Sequence, residues 1–542
     1  MGADSSGASI VLWTLEEEGV VEVRVAGTGD LADGQMTTVK VGDRTVLLAR
    51  VDGRFCATAA RCPHWGGPLR EGNLSGPRLL CPWHKATYDV RSGELLEPPA
   101  LDGIATYAVR VDGEDVYVED QRRPPAGGAK GGRDPSDTRT FVVVGGGAAA
   151  QAAMEELRRR GYAGRLLMIT PEDTWPYDRP NLSKDYLAGE LGEDMLPLRP
   201  PAFYDELGVE RVAGRVAELD AAGRTVVLED GTTLAFDAAL VATGGVPRRL
   251  DVPGGDLPGV VTLRSRADCE RLIGLVDTAN RVVIAGAGFI GMEVAASLRT
   301  RGLDVTVTAP DAVPFAAAFG ERVGRMVQAV HEEHGVRFAL GRKIVAMEGD
   351  GAVRGVRLDD GSTLPADIVV VGIGVAPATE FVGGIDLDRD GGIPVDGRLR
   401  AAEAVWAVGD VARYPDPYSG KDVRIEHWRL AEQHGRAAAA SMSGDDAAFT
   451  GVPFFWTQHF DLQLGYAGAG RGWDEHLVLG DPDGRDFTVV FAAGDQVLAA
   501  CGTRDTELGA FMELMRLGRL PSFGELTGAR HGVFAERLRG VA

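Results

Sequence analysis

The sequence predicts a multidomain protein, with an all-β N-terminal domain, two doubly wound α/β domains and a C-terminal α+β domain. Residues 1–120 are rich in short β-branched segments bounded by Asp-Gly turn signals. A buried strand, a glycine-rich turn and a helical segment follow one another twice, beginning at 141–144 and again at Arg281–Ala285. Aromatic strand-like segments return after residue 450, and a helical segment follows them at 506–517.

Changes in composition along the chain give the domain boundaries. A chain of 542 residues is too long for a single core. The segment 121–139 is rich in proline, glycine and charge, which predicts a flexible linker. The predicted units are the all-β domain at 1–120, the first α/β domain at 140–262 and 388–449, the second at 263–387, and the C-terminal domain at 450–542.

The charge balance excludes some classes of partner. With 57 basic and 79 acidic side chains, the formal net charge of −22 argues against binding to nucleic acid or to an anionic membrane. Residues 1–18 lack the basic and apolar segments of a signal peptide, and no apolar run is long enough to span a bilayer. Five scattered cysteines do not form a disulfide framework. We therefore expect a cytoplasmic protein, and a homodimer is left open.

Two cysteine–histidine pairs lie in the N-terminal domain. Cys-Pro-His at 62–64 and Cys-Pro-Trp-His at 81–84 are separated by sixteen residues, so two loops could hold one metal centre between them. Two thiolates on one iron and two imidazoles on the other are the ligands of a Rieske [2Fe–2S] cluster. Gly66 and Gly67 are expected to let backbone amides approach the sulfurs. The predicted metal ligands are Cys62, His64, Cys81 and His84.

A zinc site is the alternative at this position, because zinc also binds two cysteines and two histidines. Zinc sites rarely use the Cys-x-His spacing. The sequence around the two pairs, CPHWGGPL and CPWHKATYDV, resembles the Rieske ferredoxin family, and the resemblance extends over the whole N-terminal domain. The resemblance favours the iron–sulfur cluster.

Two glycine-rich turns predict two dinucleotide sites. The first turn follows a strand and begins a helix, so Gly145 and Gly147 allow a tight turn and bring a pyrophosphate close to the helix N-terminus. Ala150 is an accepted variant at the last position. The second copy is complete and consists of Gly286, Gly288 and Gly291.

Further segments resemble the ferredoxin-reductase and apoptosis-inducing-factor branch of the two-dinucleotide flavoprotein family. The most similar members carry a fused N-terminal Rieske domain, so the resemblance covers nearly the whole chain. The segments that carry it are 176–184, 242–245, 406–410, 426–428 and 453–457.

The resemblance implies FAD at the first glycine turn. It places Glu172 on the adenosine ribose and Asp410 on the ribityl chain. It places Arg179 and Lys184 near the pyrophosphate and the flavin, and Trp456 against the isoalloxazine edge. The other residues implied to bind cofactor are Thr243, Gly244, Glu426 and Trp428.

The resemblance also pairs Lys184 with Glu293 beside flavin N5, where hydride arrives. A fixed cation there would stabilise negative charge on the reduced flavin, and the carboxylate would keep the lysine oriented. Lys184, Glu293 and Trp456 are therefore the predicted catalytic residues. The alternative for Glu293 is an ordinary solvated helix residue.

The second α/β domain lacks the acidic residue expected to hold the ribose hydroxyls of a nicotinamide nucleotide. Ala309 stands at that strand end, and Asp311 could reach the ribose instead. No arginine follows closely in the sequence to hold a 2′-phosphate. NADH is therefore expected as the donor, with NADPH left open.

Three histidine patterns remain. His-Glu-Glu-His at 331–334 is not the HExxH zinc motif and is expected on a solvated helix face. His427 and His459 are candidates for an acid–base role near the flavin, with simple packing as the alternative. No Cys-x-x-Cys pair lies near the predicted flavin site, which disfavours disulfide-reductase chemistry.

The favoured function is an oxidoreductase that relays electrons from NAD(P)H through FAD to its own Rieske cluster. From there they would pass to an external acceptor such as an oxygenase or a haem monooxygenase. Tethering the cluster would raise its effective concentration at the flavin. One alternative is a flavin-dependent dehydrogenase or oxidase of a small organic substrate, with electrons leaving through the cluster. A non-enzyme alternative is an interaction protein similar to apoptosis-inducing factor.

Overall fold

The computed structural model describes residues 20–128, 131–470 and 472–541. The predicted fold class is confirmed: an all-β unit is followed by two α/β units and an α+β unit. The expected lack of a signal peptide concerns residues 1–18, which lie outside the described residues. Within the described ranges, no helix is both long enough and apolar enough to cross a bilayer.

The N-terminal domain is built from antiparallel sheets, because its short alternating segments can each bury one face. Its strands are β1 (Glu22–Gly27), β2 (Met36–Val41), β3 (Arg44–Val51), β4 (Arg54–Ala59), β5 (Asn73–Ser75), β6 (Arg78–Leu80), β7 (Thr87–Asp89), β8 (Leu95–Glu97), β9 (Thr106–Tyr107), β10 (Val109–Asp112) and β11 (Asp115–Glu119). The sheet orders are β1-β11-β10, β2-β3-β4-β9 and β5-β6-β7-β8. One predicted ligand loop joins β4 to β5, and the other joins β6 to β7.

The first α/β domain begins with an apolar strand that is buried on both faces, as expected for the centre of a parallel sheet. Its first run of strands is β12 (Thr140–Val144), β13 (Arg165–Thr170), β14 (Val209–Ala213), β15 (Val216–Asp220), β16 (Thr225–Leu228), β17 (Thr233–Ala235), β18 (Ala238–Val241) and β19 (Gly245–Pro247). The helices of this run are α1 (Ala148–Arg159), α2 (Asp185–Ala188) and α3 (Pro201–Glu206). Short 3-10 helices occupy Leu69–Glu71 in the N-terminal domain, and Pro180–Ser183, Glu193–Met195 and Gly409–Val411 in the first α/β domain.

The second α/β domain repeats the strand–turn–helix arrangement. Its strands are β20 (Val260–Val261), β21 (Arg281–Ala285), β22 (Asp304–Ala309), β23 (Arg337–Leu340), β24 (Ile344–Glu348), β25 (Gly355–Leu358), β26 (Thr363–Pro365) and β27 (Ile368–Val371). The next two strands, β28 (Val375–Pro377) and β29 (Val382–Gly383), pair with β19 and β15 of the first α/β domain. The helices of the second α/β domain are α4 (Arg266–Val276), α5 (Phe289–Thr300) and α6 (Ala316–Glu333). The central parallel sheet has the order β20-β27-β21-β22-β23.

The chain then returns to complete the first α/β domain. The returning elements are β30 (Ile393–Pro394), β31 (Arg400–Ala402), β32 (Val405–Ala407), β33 (Ala412–Pro415), β34 (Asp422–Val423) and α7 (Trp428–Met442). They extend its sheet to the order β14-β13-β12-β18-β32-β31. Helix α7 packs closely on α1, where a Cβ at Gly435 would lie 2.2 Å from the carbonyl oxygen of Ala149.

The C-terminal domain is an antiparallel sheet covered by helices. Its elements are β35 (Phe454–His459), β36 (Leu462–Gly468), β37 (Glu475–Asp481), β38 (Asp486–Ala493), β39 (Gln496–Gly502), α8 (Asp505–Arg516), α9 (Phe523–Leu526) and α10 (Val533–Val541). The strand order is β35-β36-β39-β38-β37. Strand β35 also contacts α5, α6 and α7, which brings the C-terminal domain to the junction of the two α/β domains.

Buried ion pairs dock the N-terminal domain on the rest of the protein. Arg429 of α7, only 1% exposed, pairs with Glu97 at 2.9 Å. Lys85 is equally buried and pairs with Asp505 of α8 at 3.0 Å. Because Lys85 directly follows the predicted ligand His84, the second ion pair fixes one ligand loop against the C-terminal domain.

We expect Arg429→Ala to lower the free energy of unfolding by about 3 kcal/mol, because it removes one partner of a buried ion pair. Urea unfolding measures this loss. The control is Arg398→Ala, since Arg398 forms an exposed pair with Asp446 and should change stability by less than about 1 kcal/mol. Equal losses in the two variants would contradict the assigned role of Arg429 in docking.

The described parts of the predicted linker, 121–128 and 131–139, run along the surfaces of the domains on either side. Arg123 and Thr106 exchange backbone hydrogen bonds of 2.8 and 3.0 Å. Further along, the amide of Asp134 donates to the carbonyl oxygen of Ala163 at 2.7 Å. These contacts attach each end of the segment to the domain beside it.

Candidate active site

The four predicted cluster ligands meet at the tips of two loops. Cys62 and Cys81 are buried, and Nδ1 of His64 lies 3.1 Å from Nδ1 of His84. Two nitrogens bound to one metal ion at about 2.1 Å and near a right angle lie about 3 Å apart. The histidine spacing therefore fits two imidazoles on one iron.

The arrangement of these ligands also bears on the zinc alternative. Among the residues that the structure describes, no group of three His, Cys, Asp or Glu side chains could hold a single metal ion. A structural zinc needs about four ligands around one ion, whereas a two-iron cluster needs one thiolate pair and one imidazole pair. The geometry fits the cluster and disfavours zinc.

Backbone amides surround both sulfurs. The amides two and three positions after each cysteine donate to its sulfur, which favours the thiolate form of both cysteines. The sequence led us to expect that Gly66 and Gly67 let backbone amides approach the sulfurs, and around Gly66 the space is open. Gly67 provides space, because a Cβ there would lie 2.8 Å from Sγ of Cys81.

A buried tyrosine completes the sulfur environment, and the sequence analysis missed it. The hydroxyl of Tyr88, on β7, lies 3.0 Å from Sγ of Cys62. A hydrogen bond to a cluster sulfur favours the reduced cluster, which carries more negative charge.

We expect Tyr88→Phe to lower the midpoint potential of the cluster by about 65 mV. The lost hydrogen bond to a charged group is worth about 1.5 kcal/mol, and about 59 mV corresponds to a tenfold change for one electron. Redox titration followed by EPR measures the shift. Tyr107→Phe, in a separate core of the same domain, should leave the potential unchanged. An unchanged potential in Tyr88→Phe would show that its hydroxyl does not tune the cluster.

A cavity of about 1270 Å³ lies at the junction of the two α/β domains and the C-terminal domain. Gly145 lies in the cavity wall and has a φ of +121°, which favours glycine. A Cβ at this position would lie 2.3 Å from the carbonyl oxygen of Ala242. Gly147 precedes α1, whose N-terminus therefore opens on the cavity. The predicted site residues that line the cavity are Gly145, Gly147, Glu172, Arg179, Lys184, Thr243, Gly244, Glu293, Asp410, Glu426, Trp428 and Trp456.

Ion pairs hold the polar wall of this cavity in place. Arg179 pairs with Glu172, and Arg264 pairs with Asp410 at 3.0 Å. A helix N-terminus beside an arginine suits a pyrophosphate, and carboxylates suit sugar hydroxyls. The residues present therefore fit FAD. Ala150 lies outside the wall, fully buried on α1.

Lys184 and Glu293 form an ion pair of 2.7 Å in the cavity wall. Glu293 is only 3% exposed, so the solvated-helix alternative is wrong. Its carboxylate also accepts hydrogen bonds from Ser183 at 2.6 Å and from Thr457 at 2.7 Å. Three donors therefore hold the carboxylate, and the carboxylate in turn holds the lysine.

Trp456 joins the cavity to the cluster ligands. Its side chain lines the cavity, and its ring centroid lies 4.3 Å from that of His84 and 6.4 Å from that of His64. One aromatic residue therefore touches both the predicted flavin site and the predicted iron site.

With this geometry in view, comparison with known proteins identifies the family. The model for pyridine nucleotide-disulphide oxidoreductases matches residues 139–435, more than half of the chain. The chain belongs to the pyridine nucleotide-disulphide oxidoreductase family. A Rieske [2Fe-2S] domain model matches residues 21–108, and a reductase C-terminal model matches residues 454–518.

Individual relatives agree with the family. The chain is 35% identical to apoptosis-inducing factor 3 of Homo sapiens, over 92% of this chain and 84% of that protein. It is 38% identical to the ferredoxin–NAD(+) reductase component of the anthranilate 1,2-dioxygenase system of Burkholderia cepacia, over 70% of this chain and 94% of that one. A crystal structure of a ferredoxin reductase from Rhodopseudomonas palustris matches with a TM-score of 0.70 and 30% identity, covering 75% of this chain and 100% of that one.

These matches confirm that the chain is an FAD-dependent oxidoreductase with a Rieske [2Fe–2S] domain. Disulfide chemistry, despite the name of the family, finds no support at the cavity. None of the described residues that line it is a cysteine. Cys269 and Cys501 are buried elsewhere, and burial raises the pKa of the Cys269 thiol to about 12.

The second glycine turn of this family member precedes α5, whose first residues line the cavity. Gly286 has a φ of +113°, and a Cβ there would lie 2.3 Å from the carbonyl oxygen of Gly372. A Cβ at Gly291 would lie 2.2 Å from the carbonyl oxygen of Gly286, whereas the space around Gly288 is open. Phe289 and Ile290, which begin α5, line the cavity in place of the glycines themselves.

An arginine that the sequence analysis missed lies beside the strand end predicted to hold the nucleotide ribose. The amide of Arg342 donates to the carbonyl oxygen of Ala309 at 3.0 Å. Arg342 follows β23, the next strand of the sheet, so its distance along the sequence hides this proximity. Its guanidinium pairs with Asp360 at 3.1 Å, and Asp311 is exposed nearby on the β22 side.

The histidines differ in part from expectation. His427 lines the cavity, with its ring centroid 4.2 Å from that of Phe455. His459 is fully buried behind Thr457 rather than in the cavity wall. The prediction of a solvated face at 331–334 is wrong for His331, which is fully buried because the inner face of α6 packs on β35.

Proposed function

We propose that the protein oxidises NADH and passes the electrons through FAD to its own Rieske cluster and on to an external acceptor. The observation that carries this proposal is the position of Trp456. It lies in the wall of the cavity with Lys184 and Glu293, and its ring packs against the ring of His84. The two redox sites of one chain are thus neighbours.

The residues of the chain prepare the cavity for this chemistry. FAD would supply a ring that accepts hydride and releases electrons singly, and the cluster would supply a one-electron carrier. Lys184 is a fixed cation where negative charge develops, and Glu293 orients it. Trp456 and Phe455 add aromatic surface to the wall of this cavity.

We propose NADH as the donor because of the charges at the end of β22. The exposed carboxylate of Asp311 would repel a 2′-phosphate, while the Arg342 guanidinium is engaged by Asp360. Initial rates with the two nucleotides should therefore give a higher kcat/KM for NADH. A higher value for NADPH would contradict this assignment.

We propose an oxygenase or a haem monooxygenase as the external acceptor. Support comes from the Burkholderia cepacia relative, whose name places it in a dioxygenase system. A second support is the solved complex of putidaredoxin reductase with putidaredoxin, which matches this chain with a TM-score of 0.70 and 29% identity, over 75% of this chain and 99% of that one. Here the fused Rieske domain would take the place of that separate partner protein.

The proposal is tested by the concentration dependence of cluster reduction after rapid anaerobic mixing with excess NADH. A docked cluster should be reduced with a first-order rate constant that does not change when the protein is diluted. A rate constant that falls in proportion to dilution would mean that the cluster of another molecule is the acceptor, and the internal route would be wrong.

A further inference from the structure

Lys85, which directly follows the ligand His84, is buried together with its charge. Only 1% of its side chain is exposed. Nζ donates hydrogen bonds to the carbonyl oxygen of Pro82 and, at 3.4 Å, to that of Trp83, and it pairs with Oδ1 of Asp505 at 3.0 Å. Because Pro82 and Trp83 directly precede His84, the ammonium group lies against the backbone of a cluster-ligand loop.

The backbone at position 85 does not account for a lysine there. Its φ is +62°, in the left-handed region that favours glycine. The side-chain contacts do account for it. Besides the oxygen atoms, the ring of Phe454 faces the ammonium group, with its centroid 5.0 Å from Nζ. Oxygen atoms and an aromatic face are the surroundings that a buried cation requires, so this site accommodates a positive charge.

The partners of Lys85 outside its own loop belong to the C-terminal domain. Asp505 begins α8, and its side chain is 33% exposed. Phe454 begins β35, the strand that also carries Trp456. One ammonium group therefore joins the ligand loop to the strand whose tryptophan packs on His84.

We propose that Lys85 and Asp505 together set the reduction potential of the cluster, with Lys85 as a positioning residue for the ligand loop. A reduced cluster carries one more negative charge than an oxidised cluster. A buried cation beside the ligand loop therefore favours reduction, and an anion beside it disfavours reduction. Asp505 balances Lys85 only in part, because water screens the partly exposed carboxylate more than the buried ammonium group.

A second buried cation lies close by, but it has a partner of its own. Arg429 donates to the carbonyl oxygen of Lys85 at 3.3 Å, and its guanidinium pairs with Glu97 at 2.9 Å. The charge of Lys85 is therefore balanced across the domain interface by Asp505. The inference rests on the proposed function, since the potential of the cluster matters for catalysis only if the cluster takes electrons from the flavin.

The test measures the midpoint potential of the cluster by titration with dithionite and redox mediators, followed by EPR. Lys85→Met removes the cation and should disfavour reduction about tenfold, which is about 59 mV for one electron. Asp505→Asn keeps the cation but removes its partner, so it should favour reduction about threefold. Opposite shifts from the two halves of one ion pair identify charge, rather than loss of structure, as the cause.

Lys40→Met is the matched control, because Lys40 is an exposed lysine on β2 of the same domain and solvent screens its charge. Its potential should match that of the wild type. Iron content is measured first for every variant. If Lys85→Met loses its cluster, the rise in Asp505→Asn decides the question, since Asp505 lies outside the N-terminal domain.

An unchanged potential in a variant that holds its cluster, or shifts of the same sign in the two variants, would overturn the proposal. Dithionite supplies the electrons in this titration. The result therefore stays distinguishable from a failure of the proposed function, in which NADH would not reduce the flavin.

Discussion

Cys81→Ser is expected to eliminate the [2Fe–2S] cluster while FAD remains bound. Sγ of Cys81 is buried among backbone amides, and a serine hydroxyl at that position is a poor iron ligand. The variant should lose the Rieske EPR signal and its iron. It should still reduce ferricyanide with NADH, because ferricyanide can take electrons at the flavin.

Cys56→Ser is the matched control, since Cys56 lies on β4 in the same domain, outside the ligand loops. It should keep the full iron content and the EPR signal. A Cys81→Ser protein that keeps its cluster, or a Cys56→Ser protein that loses it, would contradict the assigned ligand set.

Lys184→Met is expected to slow the reduction of FAD by NADH by about 100-fold. The substitution removes the cation from the cavity wall and leaves the buried Glu293 carboxylate unbalanced, which disfavours arriving negative charge. Stopped-flow absorbance under anaerobic conditions measures the rate. Glu293→Gln keeps an acceptor for the hydrogen bond from Thr457 but removes the negative charge of the carboxylate. Comparison of Glu293→Gln with Lys184→Met therefore separates the effect of lysine orientation from the effect of charge balance.

Lys421→Met removes an exposed lysine and should leave the reduction rate unchanged. The FAD content of each variant is measured first, so that lost binding is not taken for slow chemistry. If Lys184→Met retains FAD and is reduced within about twofold of the wild-type rate, Lys184 has no role in the chemistry.

The features predicted best are those that depend on neighbouring residues in the sequence. The ligand pairs lie on short loops, and the structure brings His64 and His84 together as the motif requires. Gly145 and Gly286 occupy turns of positive φ, a backbone conformation that favours glycine and that the strand–turn–helix pattern predicts. Such features require no knowledge of distant contacts, because the backbone conformation itself restricts the residue type.

Contacts between distant segments could not be predicted from the sequence. The ion pair of Arg429 with Glu97 joins residues of two domains, and nothing in either segment specifies the other. The composition of 121–139 predicts a linker, but it does not specify the backbone hydrogen bonds of Arg123 with Thr106 and of Asp134 with Ala163.

The burial of His331 had a signal in the sequence that the charged pattern at 331–334 concealed. Val323, Val327 and Val330 recur at helical spacing and are buried on the inner face of α6. His331 lies on this same face, eight residues after Val323, whereas the neighbouring glutamates point outward. Helical periodicity would therefore have predicted its burial, though not its contact with His459.

Anaerobic titration with NADH tests the central claim most directly, with flavin absorbance and the EPR signal of the reduced cluster followed together. We predict that the flavin is reduced and that the Rieske signal grows in the same protein without any added carrier. If FAD and the cluster are both present and NADH reduces neither, the electron relay is wrong. A small organic substrate that reduces the flavin directly would then be the function to pursue.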